Sequence, residues 1–227
     1  MRSIITLTCA LIAVTATAQI TNQRLFDTIP FLPEHYAKRV AQFENENLPK
    51  GRIVFLGNSI TEGGKWDKLT GDPTVVNRGI AGDITFGVLK RLDAIIQSKP
   101  SKLFLLIGIN DIGKDIPPAV IADNIRKIVG RFNAESPKTK VYVQTILPVN
   151  PEIKNFPQHY DKNDHVKKAN AYIQEVVRHE NAIVIDTFTL FADDQGFLNQ
   201  QWTGDGLHLN ASGYDLWVRH LKAIKAL

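Results

Sequence analysis

Asp205 and His208 stand three residues apart in Trp202-Thr203-Gly204-Asp205-Gly206-Leu207-His208-Leu209-Asn210. A carboxylate that close can hold one imidazole nitrogen and leave the other free to take a proton. Such a base needs a nucleophile, and Ser59 offers one. It follows the apolar run Ile53-Val54-Phe55-Leu56, in Gly57-Asn58-Ser59-Ile60-Thr61-Glu62-Gly63-Gly64. A strand, a tight turn and a helix start would expose its hydroxyl at a helix N-terminus, where a plain N-cap serine would also stand. Acyl chemistry further needs donors for a developing oxyanion. Asn110, in Gly108-Ile109-Asn110-Asp111, either supplies a neutral amide donor or makes an Asx turn. Gly79 and Gly82, in Asn77-Arg78-Gly79-Ile80-Ala81-Gly82-Asp83, either let backbone N–H groups approach a ligand or simply turn the chain.

These residues must be carried by a scaffold. Short apolar runs at Ile53 to Leu56, Val75-Val76, Leu103 to Ile107, Val141 to Leu147 and Ala182 to Ile185 alternate with amphipathic segments. The first, third and last runs are continuously apolar, as parallel strands covered on both faces are. Helical stripes run through Val88, Leu92, Ile95 and Ile96, then Ile121 to Phe132 after Pro117-Pro118. Two more run through Val166 to Val177 and Tyr214 to Ile224, the last with Asn210 as its cap. The alternation predicts a three-layer α/β/α domain on a parallel sheet, with the active site at the carboxyl ends of the strands. Tyr36, Val40 and Phe43 predict one short helix in an N-terminal extension, residues 19–50, of a single domain over 19–227.

Other chemistries fit poorly. Gly64-Lys65 is followed by Trp66, so no P-loop is present. Thr61 stands where an α/β-hydrolase elbow needs its last glycine, and Gly57 lacks a dinucleotide fingerprint's second glycine. Asp205 and His208 could be a metal fragment, but no second cluster has ligand spacing, so no metal is expected. Asp161, Asp164 and His165 lack a calcium-loop pattern. His35, His159, His165, His179 and His220 read as surface or helix-end residues. The 27 Lys and Arg against 23 Asp and Glu are dispersed along 227 residues, which argues against a nucleic-acid partner.

The ordered motifs resemble those of the SGNH hydrolases, the GDSL-like lipase/acylhydrolase family, over about residues 51–227. The resemblance implies Ser59 as nucleophile and Asp205 with His208 as its relay. It implies oxyanion donors from the Ser59 and Gly82 N–H groups and the Asn110 side chain. It also implies a flavodoxin-like sheet of five parallel strands and no cofactor. Asn58 departs from the Asp usual before the family's serine, a change expected to alter local charge rather than abolish activity.

Met1-Arg2, the apolar Ile4 to Val14 and Ala16-Thr17-Ala18 match a signal peptide cleaved after Ala18. The apolar stretch is shorter than the roughly 20 residues of a membrane span, so no membrane insertion is expected. Cys9 lies too early in it, behind Thr8, for a lipoprotein anchor. Export predicts a secreted or periplasmic protein. Its expected substrates are small-molecule or glycan esters, with acetyl groups on carbohydrate first. Lysophospholipase or short-chain lipid esterase activity is the alternative, and a catalytically silent carbohydrate-binding protein is a third reading. Pro148 to His165 is a long connection that either shapes the substrate site or is a plain excursion. Tyr160 in it, with Trp66 and Trp202, are candidate substrate contacts, though either tryptophan could be core.

Overall fold

The computed structural model describes residues 26–227. The expected leader, residues 1–18, lies outside the described residues. Five strands form one sheet: β1 (Ile53–Gly57), β2 (Val76–Gly79), β3 (Lys102–Leu106), β4 (Lys140–Gln144) and β5 (Ile183–Ile185). Their order is β2-β1-β3-β4-β5, and every pairing is parallel. The expected α/β architecture and five-stranded parallel sheet are both present.

The continuous apolar runs of β1 and β3 are buried because helices cover both faces, whereas in the edge strand β5 only Ile185 is buried and Ile183 is 52% exposed, against expectation. Phe55, Phe104 and Tyr142 stand in register on neighbouring strands and stack ring on ring, with centroids 4.7 and 4.8 Å apart. Trp66, on α3 (Trp66–Thr70), stacks on Phe55 at 3.8 Å, and Trp217, on α10 (Ala211–Ala223), meets Trp66 edge-on. By strand alternation Val54, Leu56, Leu103, Leu105, Val141 and Val143 point to the opposite face. Helices α4 (Thr85–Lys90), α5 (Leu92–Gln97), α7 (Pro118–Glu135) and α8 (Asn163–Val177) pack together. Before the sheet, α1 (Pro33–Asn45) carries the Tyr36, Val40 and Phe43 stripe.

Three details differ from the sequence reading. β2 starts after Val75 and runs through Asn77-Arg78-Gly79, which had read as a loop. The single stripe from Val88 to Ile96 is two helices, because the chain leaves helical geometry at Arg91, with φ −120° and ψ 19°. The Arg91 guanidinium is buried there, donating to Asp83, Arg78 O and Gly57 O. β4 stops at Gln144, and Asn170 replaces its ladder by accepting from Ile146 N and donating to Ile146 O.

Candidate active site

Three strand ends supply the site. β1 ends at Gly57 and enters α2 (Ser59–Glu62). Asn58 is the N-cap: its side chain, 1% exposed, accepts from Ile60 N at 3.0 Å. Ser59 is therefore not the cap, and its hydroxyl is free for other work. Asn58 fills a role an aspartate would also fill, since capping needs only an acceptor oxygen. β1 and β3 crowd this turn. A Cβ on Gly57 would lie 2.1 Å from Leu106 O, so only glycine fits.

The base and its carboxylate arrive from the far end of the sequence. After β5 the chain passes α9 (Thr187–Phe191) and a 3-10 turn (Gln200–Trp202), then makes a loop closed by the Thr203–Leu209 bridge. Within it Asp205 Oδ1 accepts from Leu207 N at 3.0 Å and His208 N at 2.8 Å. Its Oδ2 is 2.7 Å from His208 Nδ1, and His208 Nε2 is 2.9 Å from Ser59 Oγ. Burial raises the Asp205 pKa, but the His208 and Leu207 N–H groups and the His208 ring outweigh it and hold the carboxyl below its ordinary 3.8. An ionised carboxylate beside Nδ1 fixes the tautomer that leaves Nε2 free to accept the Ser59 proton. The Asp205 and His208 side chains are 33% and 30% exposed, so the relay opens to solvent.

Two N–H groups remain open nearby. Among the described residues, neither Ser59 N nor Gly82 N has a hydrogen-bond partner. Gly82 adopts φ +75°, a conformation that disfavours side chains. Asn110, on α6 (Ile109–Gly113), donates one Nδ2 hydrogen to Asp83 O at 2.9 Å, which leaves the other for a ligand. Neighbouring carboxylates hold these donors. Asp111 accepts from Thr85 N and Oγ1, and Asn124 in turn donates to Thr85 Oγ1. Asp83 pairs with Arg91 at 2.8 Å. Burial pushes Asp83 up to about 6 and Asp111 up to about 7, beyond what Arg91 and Thr85 respectively offset. Glu62 accepts from Ala81 N and meets His35 and Arg39 of α1. Phe31 N donates to Gly82 O at 2.9 Å, so the N-terminal extension braces the same loop.

A family model, the GDSL-like lipase/acylhydrolase family, matches residues 55–216. The chain belongs to that family. A Streptococcus pneumonia structure, provisionally named a platelet activating factor, is 30% identical, with a TM-score of 0.77 over 93% of this chain and 98% of that one. An Escherichia coli N-acylneuraminate cytidylyltransferase is 26% identical over 204 residues, 85% of this chain and 45% of that protein. A Vibrio mimicus arylesterase is 29% identical over 114 residues, 44% of this chain and 56% of that protein. The chain thus spans about half the length of the curated relatives it matches.

The structure departs from the sequence reading in the expected substrate contacts. Trp66 is not a pocket wall. It is 1% exposed, stacked on Phe55, and donates from Nε1 to Thr61 O behind the serine turn. Trp202 and Tyr160 are half-buried, and among the described residues neither meets the relay through a hydrogen bond or ring packing. The ring that does is Phe156, edge-on to His208 with centroids 5.3 Å apart. Its loop was marked by length, but the contact needed the fold. His159 is likewise no surface residue: it is 3% exposed. Two cavities among the described residues lie away from the chemistry. One of about 270 Å³ lies by Phe43 and Arg78, and one of about 450 Å³ by Phe26 and Phe86. Neither is lined by Ser59 or His208. Among the described residues no cluster of three or more His, Cys, Asp or Glu could hold a metal, and no helix is long and apolar enough to cross a membrane.

Proposed function

We propose that this acylhydrolase is an exported serine esterase that removes short acyl groups, acetyl foremost, from carbohydrate esters. The observation that carries the mechanism is the unbroken relay from Ser59 Oγ through His208 to Asp205, at 2.9 and 2.7 Å. Ser59 attacks the ester carbonyl while His208 Nε2 takes its proton. Asp205 orients the ring and stabilises the imidazolium. The Ser59 and Gly82 N–H groups and Asn110 Nδ2 bind the oxyanion, and His208 returns the proton to the leaving alcohol. Water, activated by the same imidazole, then releases the acid and frees Ser59.

Export rests on the leader pattern, and the acetyl preference on the lack of an evident apolar lid. The arylesterase name of one relative supports action on simple esters. A fluorophosphonate probe should label Ser59, and Ser59→Ala should lose both labelling and hydrolysis. Labelling elsewhere with activity kept would sink the assignment. Comparing kcat/KM for acetyl, butyryl, octanoyl and palmitoyl esters tests the substrate class, and a rise towards palmitoyl would favour a lipid substrate. A start at Gln19 in the exported protein would agree with the leader.

A further inference from the structure

His159 is a buried side chain with nothing to bond. It is 3% exposed, and neither Nδ1 nor Nε2 has a hydrogen-bond partner. A polar group left so in a folded interior carries a penalty of several-fold to a hundredfold in the folding equilibrium, so native proteins rarely tolerate one without a use. Its neighbours say what that use is. Phe31 lies 5.8 Å from the His159 ring and is tied through its N–H to Gly82 O, on the oxyanion loop. Phe156 lies 6.3 Å from it and is edge-on to His208. Beneath it is Gly113, on the helix that carries Asn110. A Cβ at that glycine would lie 2.5 Å from His159 Nε2. His159 therefore packs directly on the Asn110 helix at Gly113, and is one residue away from the oxyanion loop through Phe31 and from the base through Phe156.

We propose that His159 is a specificity-determining residue that binds a free hydroxyl on the alcohol part of the ester. This rests on the esterase reading above. A neutral imidazole offers one N–H donor and one bare nitrogen acceptor. A hydroxyl can pair with one of these nitrogens, as acceptor or as donor, whereas an ester of a plain alkyl alcohol leaves both unpaired. Flanking rings at Phe31 and Phe156 add the apolar faces on which the C–H side of a sugar packs. A pocket built to bond a hydroxyl rejects an analogue lacking it far more strongly than an apolar pocket rejects an extra methylene.

The test uses a matched pair, 2-hydroxyethyl acetate and ethyl acetate, with wild type, His159→Phe and His159→Gln. Wild type should favour the hydroxy ester in kcat/KM by about 10- to 100-fold. His159→Phe should bring that ratio to about 1, mainly through KM. His159→Gln, which keeps a donor and an acceptor, should recover part of it. A wild-type ratio near 1, or one unchanged in His159→Phe, overturns the proposal and marks a residue satisfied by water. If His159→Phe does not fold, the wild-type ratio and the glutamine variant still decide. A wild type that cleaves neither ester refutes the esterase reading itself, and that outcome is distinct from activity with an unresponsive ratio.

Discussion

The relay and the oxyanion side of this site are held by different physics. The relay is local and open. Asp205 and His208 lie three residues apart, and their geometry comes from backbone N–H groups in the same turn, with about a third of each side chain in solvent. The oxyanion side is distant and closed. Its proposed donors follow three strands: Ser59 after β1, and Gly82 and Asn110 after β2 and β3, the last two joined through Asp83, Thr85, Asp111 and Asn124, all buried. Chemistry at an open, locally ordered site should be removable without unfolding the protein. A closed network of charges should give way in stability first.

Asp205→Asn should break function alone. An amide NH₂ facing Nδ1 favours the wrong imidazole tautomer, and kcat should fall about 10⁴-fold. Melting should move by no more than about 3 °C, since the exposed pair contributes little to stability. A large loss of stability with kcat nearly intact would end the contrast. Arg91→Met should do the reverse. It leaves Asp83 buried without its cation, and urea unfolding should report a loss of about 3–5 kcal/mol.

Asn110→Ala tests the border between the two. It removes an oxyanion donor and also the bond to Asp83 O. If the amide acts on the transition state, kcat should fall about 10²–10³-fold with KM nearly unchanged. The lost structural bond should cost only about 1 kcal/mol. Measuring kcat and urea stability on one preparation separates these effects, and an unstable variant with normal turnover would reassign Asn110 to the scaffold.

The parallel sheet was legible because its strands are buried on both faces, so β1 and β3 read as continuous apolar runs. The residue types of the relay were legible too, because Ser59 follows a strand and Asp205 lies close to His208 in sequence. Their distances were not. What stayed hidden depends on burial of polar or amphipathic side chains, which no period encodes. Arg91 sits in a helical stripe and still ends the helix, because Asp83, eight residues back, needs its charge. Trp66 reads equally well as a wall or a core residue, and only the in-register Phe55 decides. His159 looks like any loop histidine until Phe31, Phe156 and Gly113 close around it.

The last contrast is in the pH dependence of stability, and it sets the two sides against each other. Burial, then the nearby His208 and Lys162, push His159 down to about 4 from an ordinary 6.5. As pH falls the unfolded chain takes that proton first, so the contribution of a neutral His159 is whole above about 6.5 and is lost towards pH 4. Asp83 and Asp111 have the opposite sign. Their folded pKa values of about 6 and about 7 lie above the ordinary 3.8, so the folded state binds more protons and their share of stability is lost as pH rises. The wild-type curve sums the two and can look flat. Subtracting the curve of His159→Phe removes the carboxylates, which both proteins share. The remaining difference should climb with pH between about 4 and 6.5, by at most about 1.4 kcal/mol per pH unit, and level off above. Urea unfolding at half-unit steps measures it. A difference that stays level throughout would mean that His159 takes its proton in the folded protein as readily as in the unfolded one. The imidazole would then be solvated rather than enclosed by its ring neighbours.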